Sequence, residues 1–240
     1  MARIEYLAKA LGLGIAVLFL LFPDLSQSIQ FAVFGLVLLL VGIPHGGIDH
    51  LIHNPDIRPQ GLVSFILRYL LLMLVYGLLW WFVPLAALIA FLGMSAYHFG
   101  QSHFLEQGKL ENREGLLYLL KGAFFLFLIL FGDWNMTQEI LSSMISLDLS
   151  EEFRLGILGF LLVSSLIAQG FSAKPFGLTD GLDYLILAPI LYFSPLLISF
   201  SVYFGFWHSL PSMLAEYAYL RNIPAFNSPL KFGKQLLPFS

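Results

Sequence analysis

The chain has 240 residues, 58% hydrophobic and only 11% charged, with a mean hydropathy of +0.83. A soluble domain carries about 25% charged residues, so this is the composition of an integral membrane protein. The net charge of −3 offers no basic excess for nucleic acid, and the absence of cysteine removes disulfides, thiolate metal sites, cysteine nucleophiles and iron–sulfur clusters.

A spanning helix needs ~20 mostly apolar residues. Such segments fall at roughly 5–23, 28–52, 62–82, 83–100, 115–132, 155–172, 181–194 and 195–220, which predicts an all-α polytopic bundle of about eight spans in a single domain, 1–240. The first segment ends in no small-residue cleavage pattern and reads as a retained helix. The third and fourth are separated only by Phe82-Val83-Pro84, and the last two only by Ser194-Pro195. Proline is well tolerated in the first turn of a helix, so both pairs are expected to form tight hairpins. The polar stretches NPDIRPQG and QGKLENREG read as loops. The closing run KQLLPFS drifts apolar without a stop, which leads to the expectation of a further helix beyond it.

Orientation follows the basic residues. With the N-terminus cytoplasmic, eleven of the twelve Lys and Arg residues fall on the inner side. Only Arg154 is left outside, near Asp133, Glu139, Asp148, Glu151 and Glu152. The bias also favours an even number of spans.

The stretch PHGGIDHLIH, Pro44 to His53, ends the second apolar run and holds three of the six histidines. An ionisable side chain inside a bilayer is by default a functional-site hypothesis. In the predicted topology the second, fourth and eighth helices all descend to the cytoplasm. They carry His45, His50 and His53, then His98 and His103, then His208. All six imidazoles therefore gather toward one face, which favours convergence on one site.

Without thiolates, an all-histidine site suits iron, copper or zinc. His50 stands five residues after His45, about 140° round a helix, and the same spacing separates His103 from His98. One ligand per helix is therefore expected: His45, His98 and His208. Asp49 shares the face of His45 at i, i+4 and could orient its imidazole. His53, at the membrane edge, reads as an interfacial histidine, and His103 divides evenly between ligand and structural roles. Glu216, about 12 Å beyond His208 along a helix, is open to a supporting role behind the ligands or to snorkelling. Asp180 and Asp183 read as partners of a helix N-terminus, and Gln169 as an interhelical hydrogen-bonding group. Phe is abundant at 24 residues. Bulk lipid-facing hydrophobicity and an aromatic tunnel both account for that, with Tyr97, Tyr203, Phe204, Phe206 and Trp207 as candidates for lining a substrate passage.

GIPHGGIDH resembles the PHGxxDH signature of the bacterial Brp/Blh-type β-carotene 15,15′-dioxygenases, integral-membrane enzymes that cleave β-carotene into two retinals. AYHFGQSH is similar to that family's HFGxxD segment, and FGFWHSLPSM to its late histidine motif, in the same order along most of the chain. The resemblance implies a mononuclear non-haem Fe(2+) held by His45, His98 and His208. It also implies O2 and a carotenoid as substrates, a multi-pass protein of the cell inner membrane with its histidine site toward the cytoplasm, and a functional link to a retinal-binding proton pump. Two departures stand out: Ser212 replaces the second histidine of the late motif, and His103 replaces the HFGxxD aspartate. The fourth position then falls to His103, His50 or water. A carotenoid walled by aromatics would enter laterally from the lipid bilayer.

Membrane di-iron hydroxylases and desaturases are a rival class, but they depend on dense HxxxH and HxxHH boxes that this sequence lacks. A non-catalytic haem- or carotenoid-binding protein, or a transporter with a polar histidine site, is another. Metal content and bound pigment separate them.

Overall fold

The computed structural model describes residues 2–47, 59–104, 114–172 and 176–236. Asp49, His50 and His53 lie outside the described residues, as does most of the two stretches read as loops. Among the described residues the protein is helical throughout, without strands. Helix α1 spans Ala2–Leu21. Helix α2, Gln27–Val37, runs through a widened π turn at Leu38–Gly42 into the short α3, Ile43–Gly47. A hairpin follows, α4 at Pro59–Phe82 and α5 at Pro84–Ser102, then α6 at Gly115–Gly132. After these come α7, Trp134–Ser142, and α8, Glu151–Gly170. The next rod joins α9, Leu178–Leu182, to α10, Ala188–Phe193, across a π turn at Asp183–Leu187. The last long rod joins α11, Leu196–Val202, to α12, Leu210–Leu220, across a longer π segment at Tyr203–Ser209, and α13, Pro229–Leu236, follows.

Among the described residues, five helical stretches are long and apolar enough to cross a membrane: Arg3–Leu21, Gln27–Gly47, Val63–Phe82, Gly115–Gly132 and Glu151–Gly170. The other expected spans are helical too, but α9–α10 and α11–α12 are each interrupted by a π turn. Those interruptions have a sequence cause. Every π segment is followed two residues later by a proline: Pro44, Pro189 and Pro211. Proline gives no amide hydrogen to the carbonyl four residues back and crowds it, and that carbonyl, of Leu40, Leu185 or Trp207, sits inside the widened turn each time. π turns of this kind recur at functional sites.

Helix α6 is the axis of the bundle. It packs on α5, α8, α10 and α11 and buries 61% of its apolar window. Its closest neighbour is α5, and small residues make that approach possible. A Cβ on Gly100 would collide with the Tyr118 carbonyl, and one on Gly122 with the Ala96 carbonyl. Close backbone contact through small residues is how helices associate where lipid removes the hydrophobic drive between them. The periphery is the opposite case. Helix α4 buries none of its window and leaves Trp81 83% and Phe82 74% exposed. An apolar surface of that extent would be strongly unfavourable in water and is at home in hydrocarbon. Tyr76 of α4 donates to the Ala87 carbonyl at 2.7 Å and fastens the hairpin.

Two expectations are corrected. The segment read as an acidic outer loop contains α7, capped by Asp133, whose carboxylate accepts from the Met136 amide at 3.2 Å and from the Leu196 amide at 3.1 Å. Lys121, counted on the cytoplasmic side, is fully buried and paired with the buried Asp180 at 2.7 Å. Its ammonium also lies 5.3 Å from the Phe104 ring centroid and 5.4 Å from that of Tyr184. Gln169, expected to bridge helices, is buried with neither side-chain oxygen nor nitrogen hydrogen-bonded.

Candidate metal centre

Three chain segments bring one histidine each to a common point. His45 stands on α3 just after Pro44, His98 on α5 one turn before its end, and His208 inside the π segment Tyr203–Ser209. One ligand atom from each lies within 4.8 Å of the others. The ring centroids are 6.2 Å apart for His45 and His98, 5.2 Å for His45 and His208, and 4.6 Å for His98 and His208. His45 is 8% and His208 1% exposed, while His98 is exposed and forms the accessible edge.

The donor atoms fit a metal. Both ring nitrogens of His208 are buried without a hydrogen-bond partner, and so is Nδ1 of His45. An unsatisfied buried polar atom costs ~1–3 kcal/mol, and an electron-pair acceptor shared by the three imidazoles would satisfy one nitrogen of His208, with His45 Nδ1 left to a partner behind it. Phe99 and Phe204 flank His208, with ring centroids 4.8 Å and 5.7 Å away, and wall the cluster from polar surroundings. Glu216, on α12, places Oε1 3.3 Å from His45 Nδ1. The contact is close but not aligned as a hydrogen bond, and Glu216 Oε2 is itself buried without a partner. Ser212, where the resembling motif has histidine, turns its hydroxyl back along the helix and donates to the His208 carbonyl at 2.7 Å.

His103 takes no place in this cluster. Its Nδ1 meets Asp183 Oδ2 at 3.0 Å and its Nε2 meets the Tyr203 hydroxyl at 3.0 Å, so both nitrogens are engaged. The Phe125 ring stacks on it at 5.1 Å. Asp183 also accepts from Trp207 Nε1 at 2.9 Å. One carboxylate on the π turn Asp183–Leu187 thus ties the His98 helix, through His103, to the His208 segment, through Trp207. Sequence reading placed Asp183 at a helix terminus and missed this clamp. The available signal was a carboxylate inside an apolar run, which needs a partner.

The five proposed lining aromatics separate. Phe204 stacks on His208, and Trp207 borders a cavity on the other side of its segment. Tyr203 is fully buried behind His103. Phe206 packs against Gly12, and Tyr97 is half exposed against Tyr118.

The architecture defines a class: an all-helical protein with helices suited to crossing a membrane and a histidine cluster gathered from three of its segments. The family model of β-carotene 15,15′-dioxygenase matches residues 36–240, and the chain belongs to that family. The match begins before His45 and runs through His208. No curated protein and no solved structure matches the chain.

Proposed function

We propose that the protein is an iron-dependent dioxygenase that cleaves β-carotene, or a closely related carotenoid, at its central double bond to give retinal. The observation that carries this is the convergence of His45, His98 and His208, with orphaned buried nitrogens, inside a chain of this family. In the overall reaction the 15,15′ double bond breaks and each of its carbons takes one oxygen atom of O2, so no outside reductant is required. Fe(2+) held by the three imidazoles would supply the chemistry that lets O2 react with a polyene.

The residues of the chain bind and orient. Glu216 accepts from Nδ1–H of His45 after a small rotation of either side chain, fixing the tautomer that leaves Nε2 free as a ligand. Phe204 and Phe99 present flat apolar faces beside His208, suited to a planar polyene, and exclude water from it. Ser212 is turned away, so it would leave room for small molecules beside a metal held by the three imidazoles. His98 forms the accessible edge, where a carotenoid dissolved in the bilayer would approach. Placement in the inner membrane, with this edge in its cytoplasmic half, accords with the distribution of Lys and Arg.

Expression in cells that accumulate β-carotene, beside a His45→Ala control, tests the reading by chromatography. Retinal from the parent alone is expected. Intact β-carotene with an equally expressed parent would sink the β-carotene assignment.

A further inference from the structure

A cavity of about 560 Å³ lies beside the histidine cluster but does not include it. Trp207 forms part of its wall while the next residue, His208, packs toward His98 and His45, so the π segment stands between the cavity and the histidine cluster. Three helical stretches supply the walls, each as a stripe at i, i+3, i+4 and i+7, the spacing of one helix face. They are Tyr6, Lys9, Ala10 and Leu13 on α1, then Thr179, Leu182, Asp183 and Ile186 on α9 and its π turn, then Pro211, Leu214, Ala215 and Ala218 on α12. Three stripes, each spanning eight residues or about 10 Å at ~1.5 Å per residue, wall the slot. Its volume falls within the roughly 300–1,000 Å³ of small-molecule sites.

The slot is apolar with a small polar group, and its polar members are not equivalent. Both oxygens of Asp183 and both ring nitrogens of His103 are already engaged with each other, Trp207 and Tyr203. Lys9 differs. Its ammonium pairs with Glu5 at 2.6 Å and lies 5.7 Å from the Trp207 ring centroid. An ammonium has three donors, and the ion pair occupies one.

We infer that this slot binds one half of a cleaved carotenoid, an apolar polyene ending in a carbonyl oxygen, with Lys9 donating to that oxygen and Trp207 separating it from the histidine cluster. The inference rests on the cleavage reading above for the identity of the ligand. The wall chemistry alone asks for a long apolar chain with a terminal acceptor. With Trp207 standing between the slot and the histidine cluster, the slot is a resting place for the released half rather than for uncut substrate.

The test uses purified, metal-free full-length protein, which removes catalysis from the readout. All-trans-retinal is titrated and binding is followed by the quenching of protein fluorescence. Saturable binding of one retinal per chain is expected. Ala215→Phe, which fills the slot, weakens it at least about tenfold. Lys9→Met weakens retinal about tenfold but leaves an oxygen-free polyene of the same length unaffected. Size-exclusion profiles matching the parent establish that both variants fold. Retinal binding unchanged in both variants, or absent in the parent, overturns the site. Palmitate binding more tightly than retinal, with the same dependence on Lys9, assigns the slot to a fatty acid and overturns the retinoid reading. Retinal binding in a chain that makes no retinal in cells supports the site and counts against the cleavage reading alone.

Discussion

At the scale of single residues, His208 concentrates the argument. It is almost completely buried among Phe99, Phe204 and two other imidazoles, and neither nitrogen has a partner. A histidine retained only for packing would bond at least one nitrogen, as His103 does twice. Glu216 is the second such residue, with a carboxylate 3.3 Å from His45 Nδ1 and one oxygen unsatisfied. Carboxylate partners behind a metal-bound histidine typically contribute about 10–100-fold in metal affinity. Glu216→Gln, which keeps the shape and removes the charge, is expected to weaken Fe(2+) binding within that range while thermal stability of the metal-free protein stays the same or rises. Unchanged iron affinity in a titration would remove Glu216 from the site. The sequence already pointed to His45, His98 and His208, because imidazoles inside apolar helices need a reason. Asp180 holds the helix N-terminus as expected, accepting from the Gly177 amide at 3.0 Å; the sequence pointed less well to the distant pairs, Lys121 with Asp180 59 residues away and Asp183 with His103 80 residues away. A polar residue near a predicted helix end has a local explanation, and only the packing of α6 and α5 against the α9 rod adds the distant partner.

At the scale of elements, the site depends on turns that depart from α-helical geometry and on two backbones in contact. The prolines at 44, 189 and 211 each widen the turn before them, and two of those turns lie against or within the histidine-bearing segments. The signal was in the sequence, but a proline in an apolar run reads first as a kink or a boundary. Ser194-Pro195 and Phe82-Val83-Pro84 were read as hairpin corners and do separate helices. The contact of α5 with α6 through Gly100 and Gly122 gives a graded prediction. Gly100→Leu places a side chain against the Tyr118 backbone two residues from His98, and overpacking of this kind costs ~1–3 kcal/mol or more. Its melting temperature should fall clearly and its iron content should fall with it. Gly77→Leu, on α4, where an added Cβ meets nothing within 4 Å, should leave both near parental values. Equal behaviour of the two variants would contradict the packing described here.

At the scale of the whole molecule, an exposed apolar shell surrounds a tightly packed axis, α6, with the histidine cluster on one side of the helices around it. The helical class was legible because the hydrophobic runs are long. The spans were harder to read. Among the described residues five stretches meet the length and apolarity of a membrane span, Gln27–Gly47 across its own π turn, whereas α5 and the rods α9–α10 and α11–α12 do not. The family match covers the three histidine-bearing segments together, as expected if they form one unit of function.

We propose that carotenoid cleavage depends on one Fe(2+) per chain, which His45, His98 and His208 would hold. The most direct test is a titration of Fe(2+) into purified metal-free protein with β-carotene and O2 present, following retinal by chromatography. The account predicts that retinal formation rises to a plateau at one equivalent of iron per chain, and that His208→Ala forms none at any iron level. A plateau at two equivalents, retinal formed without iron, or an active His208→Ala protein would contradict it.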